Sequence, residues 1–407
     1  MSNTQKKNVP ELRFPGFEGE WEEKKLGNLT TKIGSGKTPK GGSENYTNKG
    51  IPFLRSQNIR NGKLNLNDLV YISKDIDDEM KNSRTYYGDV LLNITGASIG
   101  RTAINSIVET HANLNQHVCI IRLKKEYYYN FFGQYLLSRK GKRKIFLAQS
   151  GGSREGLNFK EIANLKIFTP TIFEEQQKIG QFFSKLDQQI ELEEQKLELL
   201  QQQKKCYIQK IFSQELRFKD ENGEDYPDWE NSKIEKYLKE RNERSDKGQM
   251  LSVTINSGII KFSELDRKDN SSKDKSNYKV VRKNDIAYNS MRMWQGASGK
   301  SNYNGIVSPA YTVLYPTQNT SSLFIGYKFK THRMIHKFKI NSQGLTSDTW
   351  NLKYKQLKNI NIDIPVLEEQ EKIGDFFKKM DILISKQKMK IEILEKEKQS
   401  FLQKMFL

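Results

Sequence analysis

A chain of 407 residues is too long for one ordinary domain and long enough for two cores with connecting elements. Hydrophobic residues make up 35% and charged residues 29%, a globular composition that excludes a disordered chain. The net charge of +19 favours a polyanionic partner, although a lysine-rich, AT-biased proteome would produce the same excess.

The beginning of the sequence and its cysteines indicate the compartment. The first ten residues, MSNTQKKNVP, are polar and lack the apolar core of a signal peptide. No apolar run approaches the ~18 residues that a membrane helix needs. Cys119 and Cys206 have neither metal-binding nor disulfide spacing. We therefore expect a cytoplasmic, nucleoid-associated protein with reduced thiols and no membrane partner.

Basic charge is concentrated in two blocks of the chain. Residues 1–170 carry 27 Lys and Arg against 16 Asp and Glu, and residues 215–364 carry 26 against 18. Residues 171–214 carry 6 against 7, and residues 365–407 carry 9 against 8. These boundaries predict two globular domains that face a polyanion, each followed by a solvated helix.

The first block mixes short strands, short helices and polar loops. Tyr87–Leu91 and Val118–Leu123 predict buried strands, and Asn130–Leu147 predicts a helix. Leu165–Thr169 alternates as a half-buried strand does, and Pro170 ends the ladder because proline has no N–H to donate. The block is therefore predicted to be α+β.

The two long helices that follow the blocks have similar sequences. Glu174–Phe212 and Glu368–Phe406 align without a gap at an offset of 194, with 18 of 39 positions identical. Each copy opens on two glutamates, which the helix dipole favours. At 1.5 Å per residue, each helix should be ~60 Å long.

Both helices carry a heptad pattern with apolar residues in steps of 3 and 4. This narrow seam predicts that the helices pair with each other as an antiparallel coiled coil; the alternative is that each packs only on its own block. Two seam positions are polar in both copies, Glu193 with Gln387 and Lys204 with Lys398, and would set register at a cost in stability. The predicted seam residues are Ile179, Phe183, Leu186, Ile190, Leu197, Leu200, Ile373, Phe377, Met380, Ile384, Ile391 and Leu394.

The second block repeats the opening of the first. Glu215–Phe218 has the same four residues as Glu11–Phe14, and a Trp-Glu pair follows in both blocks. Trp21 and Trp229 are predicted to anchor the core at the domain edge.

The interior of the second block is α+β as well. Lys283–Ala287 and Val307–Tyr315 predict strands, Phe324–Phe338 predicts a helix, and Ile360–Ile364 predicts a last strand that stops at Pro365. The tripeptide Gly-Ala-Ser occurs at 96–98 and at 296–298, which predicts that Ser98 with Ser298, and Arg101 with Lys300, are equivalent phosphate contacts. The predicted architecture is block, helix, block, helix, with pseudo-twofold symmetry.

This pattern resembles the specificity subunits of type I restriction-modification systems, over nearly the whole chain. The resemblance is carried by Pro-x-x-x-Glu-Glu-Gln-x-Lys-Ile-Gly from Pro170, by the LRFPGF opening at Leu12–Phe17 and by Gly36–Pro39. Pro365 departs from the pattern, because it lies one residue closer to its glutamate pair. The combination is specific, although no single motif is.

The resemblance implies two target-recognition domains, each of which reads half of a bipartite double-stranded DNA site. The helices would set the gap and bind two methyltransferase (M) subunits, and restriction (R) subunits would join through the complex. It implies no catalytic residue and no cofactor in this chain, with S-adenosylmethionine, ATP and Mg on the partner subunits. Independently, two similar but unequal basic domains held apart by a rigid rod should read two different sequences at a fixed separation.

Enzyme signatures fail on inspection. The two Gly-rich segments that resemble a phosphate-binding loop have Thr31 and Trp294 where the first glycine belongs. Ser308-Pro-Ala-Tyr lacks the Pro-Pro pair of a methyltransferase loop. His332 and His336 have metal-ligand spacing, but Arg333 replaces the catalytic glutamate of that motif.

Loops rich in Gly, Arg, Asn, Gln, Lys, Ser and Thr are the predicted DNA contacts, because forked and amide side chains read bases and hydroxyls bind phosphates. Each could equally be an ordinary solvated turn. In the first block the candidates are Lys37, Thr38, Arg55, Gln57, Asn58, Arg60, Asn93, Thr95, Ser98, Arg101, Ser153 and Arg154. In the second block they are Asn289, Ser290, Arg292, Trp294, Gln295, Ser298, Lys300, Gln343, Thr346 and Ser347.

Three rival functions remain at this stage. A fused methyltransferase or nuclease would need cofactor motifs, which the sequence lacks. A coiled-coil scaffold with non-specific nucleic-acid binding would show no sequence preference. A single-stranded RNA binder should display aromatic platforms, for which the run Tyr127–Tyr129 is the one hint.

Overall fold

A computed structural model describes residues 8–149, 156–266 and 274–407. The chain divides into two compact units, and each of the two long helices contributes one half to each unit. Residues 1–194 with 389–407 form unit 1, and residues 195–388 form unit 2. Among the described residues, no helix is long and apolar enough to cross a membrane.

Unit 1 is an α+β domain with a two-part core. Its elements are β1 (Glu22–Lys25), α1 (Leu26–Leu29), β2 (Thr30–Ser35), β3 (Ile51–Leu54), β4 (Val70–Ile72), α2 (Lys74–Glu79), β5 (Arg84–Thr85), β6 (Val90–Asn93), β7 (Thr102–Ile104), β8 (Ala112–Leu114), β9 (Val118–Leu123), α3 (Tyr129–Leu137), α4 (Arg139–Ala148), α5 (Phe159–Asn164), β10 (Lys166–Thr169) and the first half of α6 (Phe173–Phe212). One sheet has the order β2-β9-β6-β7 and is antiparallel, and a second has the order β4-β3-β8-β5, with β3 and β8 parallel. Apolar side chains fill the space between the sheets, and a larger cluster joins the first sheet to α3 and the long helices.

Unit 2 repeats this plan with smaller accessory sheets. Its elements are β11 (Glu230–Lys233), β12 (Leu238–Glu240), β13 (Leu251–Thr254), β14 (Gly258–Lys261), β15 (Lys279–Val281), β16 (Ile286–Asn289), β17 (Ser298–Lys300), β18 (Gly305–Val307), β19 (Tyr311–Pro316), α7 (Ser322–Lys328), α8 (His332–Asn341), α9 (Tyr354–Leu357), β20 (Asn361–Ile364) and the first half of α10 (Leu367–Lys404). The sheet β12-β19-β16-β17 corresponds to the first sheet of unit 1, and β13 pairs with β14 as a hairpin.

The last strand of each predicted block pairs with the strand after its tryptophan. β1 pairs antiparallel with β10, and β11 pairs antiparallel with β20. Trp21 is 1% exposed and Trp229 is 9% exposed, so both tryptophans lie in the core as predicted.

The strand Val118–Leu123 is confirmed, whereas each predicted block helix is two helices. Ser138 has extended backbone and its hydroxyl accepts from Gly141 N, so it ends α3 and caps α4. Thr331 caps α8 in the same way by accepting from Met334 N, three residues after α7 ends at Lys328. The hydroxyl cap stops a helix that apolar periodicity alone would continue.

Three predicted strands have different bounds because turns intervene. β6 and β16 begin three residues after the predicted starts, since Asp89 N donates to Tyr86 O and Asp285 N donates to Arg282 O. The predicted strand 307–315 is interrupted, because Tyr311 N donates to Ser308 O and closes a turn between β18 and β19.

The helices form an antiparallel pair within each unit. In unit 1, Phe183 stacks on Phe406 with 5.7 Å between ring centroids. In unit 2, Phe212 stacks on Phe377 at 5.8 Å. These ends also pack against the domain cores, so mutual pairing and packing on the block both occur.

The structure places all the predicted seam residues in buried or half-buried positions. The buried ones are Ile179, Phe183, Ile190, Ile373, Phe377, Met380, Ile391 and Leu394, and the half-buried ones are Leu186, Leu197, Leu200 and Ile384. The polar seam lysines form equivalent ion pairs across the helix pair: Lys398 bonds Asp187 in unit 1, and Lys204 bonds Asp381 in unit 2. A shift of one helix along the other would separate each lysine from its aspartate, so these ion pairs favour the observed register.

The glutamate pair at each helix start does more than complement the dipole. In unit 1 the second glutamate, Glu175, is 1% exposed and accepts from Arg13 and Trp21. In unit 2 Glu369 is 0% exposed and accepts from Arg217 and Trp229. The duplicated opening tetrapeptide therefore supplies the arginine that neutralises a buried carboxylate.

The next residues of the helix motif join the helix to its domain. Gln176 accepts from Tyr128 N and donates to Pro170 O, and Gln370 makes the same two contacts with Ser321 N and Pro365 O. The glycine that closes the motif is needed for close approach. A Cβ on Gly180 would lie 2.8 Å from Phe131 N, so α3 packs directly on the α6 backbone there.

Candidate nucleic-acid interface

Four loops converge at one end of the unit 1 sheets. They are residues 36–40, 55–60, 93–101 and 114–117, and backbone bonds join them: Lys37 N donates to Leu114 O at 2.9 Å and Asn115 N donates to Leu54 O at 3.1 Å. Ile94 N donates to His117 O at 3.0 Å. None of these loops contains a carboxylate. These four loops, which are far apart in the sequence, therefore form one surface with neutral and basic side chains and no acidic ones.

The candidates of unit 1 differ in exposure. Lys37, Gln57 and Arg60 are exposed, and Thr38, Arg55, Thr95, Ser98 and Arg101 are half-buried. Asn58 and Asn93 are buried. Ser153 and Arg154 lie outside the described residues.

The two buried asparagines hold the loops in place. Asn93 Nδ2 donates to Ser56 O at 2.9 Å and to Ser98 Oγ at 3.1 Å, which ties two loops together. Asn58 Oδ1 accepts from Arg55 N at 2.9 Å. In this structure their side chains face the protein interior, so a surface role falls to their neighbours.

Gln116 and His117 belong to this surface although no motif singled them out. Thr95 Oγ1 lies 2.7 Å from His117 Nδ1, Gln116 Nε2 lies 3.1 Å from His117 Nε2, and Thr38 donates to Gln116. Gln116 is exposed, and an amide side chain can read adenine. The Asn-Gln-His turn immediately before β9 was the available sequence signal.

In unit 2 the corresponding surface is built from two loops. Leu352 N donates to Ser290 O at 2.8 Å, and the rings of Trp294 and Trp350 meet edge to face at 5.2 Å. These contacts bring residues 288–300 and 341–351 together. Asp348 is the one carboxylate in either range.

The candidates of unit 2 also divide by exposure. Arg292, Gln343, Thr346 and Ser347 are exposed, Asn289, Trp294, Gln295 and Lys300 are half-buried, and Ser290 and Ser298 are buried. Arg292 Nη1 donates to Gln295 Oε1 at 3.2 Å, and Ser290 Oγ lies 2.9 Å from Thr312 Oγ1.

Strand register corrects the predicted equivalence of the Gly-Ala-Ser tripeptides. Leu92 pairs with Thr102, and its counterpart Tyr288 pairs with Ser298, so Ser298 corresponds to Thr102 and not to Ser98. By the same register Lys300 corresponds to Ile104, and Arg101 has Ala297 as its counterpart. The predicted equivalence of Ser98 with Ser298 and of Arg101 with Lys300 is wrong, and the phosphate contacts predicted for these residues stay predictions.

The glycine that the two loops share is Gly100 with Gly296. Both have φ of +84, in the left-handed region that side chains other than glycine rarely adopt, and both lie just before the returning strand. The first loop has two glycines, Gly96 and Gly100. The repeated tripeptide matches Gly296 to Gly96, whereas strand register matches it to Gly100.

An ammonium group lies beneath the second loop. Lys330 Nζ donates to Ile255 O at 2.7 Å and also to Gly296 O. Burial lowers the pKa of Lys330 to about 8. The lysine therefore ties the β13–β14 turn to Gly296.

Metal-binding geometry is not found in residues 8–149, 156–266 and 274–407. No three His, Cys, Asp or Glu side chains there are placed to hold an ion together. His332 and His336 lie on α8.

Comparison with known proteins decides the family. A family model described as the type I restriction modification DNA specificity domain matches residues 18–202 and again residues 226–396. The chain belongs to the type I restriction-modification specificity-subunit family. The family resemblance predicted from the sequence is confirmed.

Relatives with curated descriptions are similar over part of their length. The chain is 26% identical over 231 residues to the putative type I restriction enzyme MjaX specificity subunit of Methanocaldococcus jannaschii, covering 54% of this chain and 53% of that protein. It is 31% identical over 144 residues to the type I restriction enzyme EcoBI specificity subunit of Escherichia coli, covering 34% and 30%. The chain thus spans about half or less of the length of these relatives.

Solved structures share the fold over the whole chain. The S subunit of the type I restriction-modification system from M. genitalium has a TM-score of 0.60 at 14% identity, covering 98% of this chain and 99% of that one. A chain from a structural study of complex assembly and conformational transition of the type I R-M system has a TM-score of 0.54 at 15% identity, covering 96% and 97%. The predicted fold class, with two α+β domains and two long helices, is confirmed.

Proposed function

We propose that this specificity subunit reads a bipartite double-stranded DNA site, with one half-site for each unit. One observation carries the proposal: the two units build the same loop frame and fill it with different side chains. Asn93 and Asn289 end equivalent strands, and Gly100 and Gly296 have the same φ, yet the loops between them are NITGASIGR and NSMRMWQGA. Loops with the same backbone ends but different side chains are expected to bind two different short DNA sequences.

The helix pair is proposed to set the gap between half-sites and to bind two M subunits. Each helix keeps exposed apolar side chains on the surface away from the seam. On α10, Ile382, Met389 and Ile393 recur at steps of 7 and 4 and are 45%, 57% and 53% exposed, and on α6 Leu192 and Leu199 are 64% and 58% exposed. Apolar stripes of this kind mark protein interaction sites.

This chain then contributes recognition, and the chemistry belongs to its partners. The M subunits would use S-adenosylmethionine to methylate adenine, and R subunits that join through the complex would use ATP and Mg for cleavage. The scaffold alternative has the same helix pair but predicts no sequence preference.

Co-expression with the M subunit of the neighbouring gene tests the proposal. Methylated adenines are mapped on genomic DNA with and without this chain. We expect a two-part motif with a constant unspecified gap that appears only when the chain is present. Methylation that ignores the chain, or the lack of a stable complex, would leave the scaffold function in its place.

A further inference from the structure

We propose that unit 2 binds a phosphate group of the DNA backbone in a cleft between its main sheet and helix α10, through Lys300 and Lys378. The proposal rests on the proposed DNA-binding function and adds a residue of the long helix, Lys378, to the predicted contact Lys300. Lys378 lies on the long helix, where no DNA contact was predicted.

The cleft has a volume of about 990 Å³, and both polar and apolar side chains line it. Its walls are the β13–β14 turn, strand β17, the start of α7 and the helix segments of unit 2. Hydrogen-bonding side chains at its rim include Asn256, Ser257, Thr320 and Ser321. Such side chains can hydrogen-bond the oxygens of a sugar–phosphate backbone.

Charge in the cleft is unbalanced. Four lysines line it, at 204, 300, 330 and 378, against one carboxylate, Asp381. Lys204 is paired with Asp381, and Lys330 is bonded to two backbone carbonyls. The excess positive charge therefore rests on Lys300 and Lys378.

Lys300 and Lys378 have no carboxylate partner among the residues that the structure describes. Lys300 Nζ is held by neutral oxygens, at 3.1 Å from Asn284 Oδ1 and 2.9 Å from Asn302 Oδ1. Burial lowers the pKa of Lys300, and repulsion from Lys378 and Lys283 lowers it further. An anion between the two ammonium groups would replace this repulsion with attraction.

A buried hydroxyl in the cleft wall also lacks a partner. Ser298 is 1% exposed, and its Oγ has no hydrogen-bond partner among the described residues. Native proteins seldom leave a buried polar atom unsatisfied unless a ligand or water completes it. Ser298 lines the same cleft, two residues before Lys300.

Unit 1 is an internal control for this cleft. Strand register makes Ile104 the counterpart of Lys300. Helix packing agrees, because a Cβ on Gly133 would meet Ile104, and one on Gly326 would meet Lys300. The helix repeat, at its offset of 194, makes Ser184 the counterpart of Lys378. The duplicated frame therefore tolerates both positions without charge, and the cation pair is specific to unit 2.

The test exchanges the two lysines for the residues of unit 1, as Lys300→Ile with Lys378→Ser. The protein is used in complex with its M subunit, and the probe is a duplex that contains the mapped methylation motif. Dissociation constants are measured from 50 to 300 mM NaCl. Each lost phosphate contact should reduce the steepness of log K against log salt by about 0.9. Since one phosphate group is held by both lysines, we expect a decrease of about 0.9 and an unchanged motif.

The control removes equal charge elsewhere in unit 2. Lys239→Ile with Lys379→Ser changes two exposed lysines that do not line the cleft and should leave the slope unchanged. Lys378→Ser alone, at an exposed helix position, gives the test a second variant if the double variant is unstable. It should reduce the steepness by part of about 0.9, because Lys300 remains.

Three outcomes are informative. If the cleft variant has the same slope and affinity as the wild type, the inference is overturned. If the wild type still binds the motif specifically, the proposed function is upheld in that case. Stabilisation of the wild type alone by inorganic phosphate, with unchanged DNA affinity, would assign the cleft to free phosphate and overturn the DNA contact. A wild-type complex without any sequence preference would refute the proposed function itself.

Discussion

The Arg13 guanidinium makes two hydrogen bonds to the Glu175 carboxylate, at 2.7 and 2.8 Å, across 162 residues of chain. Glu175 is 1% exposed, so loss of its partner would leave a buried charge uncompensated. We expect Arg13→Ala to lower the free energy of unfolding of unit 1 by about 3–5 kcal/mol. Urea unfolding followed by fluorescence of Trp21, which lies against this carboxylate, measures the effect.

An exposed ion pair nearby provides the comparison. Lys24 and Glu22 are 2.9 Å apart with side chains 35% and 55% exposed, so Lys24→Ala should cost less than about 1 kcal/mol. Equal effects of the two substitutions would contradict the role given to Arg13.

The two helix-motif glycines should respond differently to alanine. In Gly180→Ala the new Cβ would lie 2.8 Å from Phe131 N, a backbone atom that cannot move without shifting α3. In Gly374→Ala the atoms nearest to the new Cβ would be those of the Leu323 side chain, at 3.1 to 3.3 Å. Alanine gains about 1 kcal/mol in helix propensity at either site. We therefore expect net destabilisation of about 1–3 kcal/mol at 180 and a near-neutral change at 374, measured by thermal unfolding.

Lys328 should make the stability of unit 2 depend on pH. It is 2% exposed, and its Nζ lies 4.8 Å from the Trp229 ring and 5.2 Å from the Phe212 ring. Burial lowers its pKa to about 8, with Asp363 opposing this and Arg333 and Lys337 adding to it. Below pH 8 the folded state holds a buried charge, which costs up to about 3 kcal/mol.

The comparison variant is Lys328→Met, which keeps the shape without the charge. At pH 7 the variant should be the more stable protein. As pH rises from about 8 towards the ordinary lysine value of 10.5, wild-type Lys328 loses its proton in both states and the difference should shrink. Urea unfolding at pH 7, 8.5 and 10 measures it, and a difference that is constant with pH would contradict the assignment.

Side chains in one recognition surface should affect one half-site only. Arg60 and Arg292 are exposed members of the unit 1 and unit 2 surfaces, respectively. Arg60→Ala should relax one half of the methylation motif, and Arg292→Ala the other half, each with a loss of about 1–3 kcal/mol against the original site. Methylome mapping of the two variants checks this, and relaxation of the same half by both would exclude one unit per half-site.

The proposal that the helix pair sets the gap between half-sites predicts the effect of an insertion. Four residues added near Gln202, which is exposed on α6, should lengthen the gap that the motif tolerates while leaving both half-sites unchanged. Methylated-site mapping reads both properties at once. A changed half-site sequence would show that the helices act on recognition and not on spacing.

The long helices were predictable because their signal is local. Apolar spacing places them at Glu174–Phe212 and Glu368–Phe406, and the structure has Phe173–Phe212 and Leu367–Lys404. The helix breaks at Ser138 and Thr331 were not predicted. The apolar spacing continues across both residues, and a serine or threonine caps a new helix only where its backbone is extended.

The candidate surfaces were predictable as loops but not as individual contacts. Asn93 has the chemistry of an adenine reader, yet its amide bonds Ser56, 37 residues away, and is buried. Gln116 joins the surface through Thr38, 78 residues away. Such pairings depend on sheet order, which composition and spacing do not encode.

The shared frame of the loops has an evolutionary consequence. Loop length, the terminal asparagine and the left-handed glycine are the same in both units, while the six residues between them differ at every position. Ile94 and Met293 are buried in the cores of their units, so it is the exposed loop positions, such as Met291 and Arg292, that can change without disturbing the strands and the buried glutamate anchor. Under the proposed function, we expect new DNA specificities to arise by single substitutions at such exposed positions, each of which retains a folded protein, and the duplicated halves to diverge independently of one another.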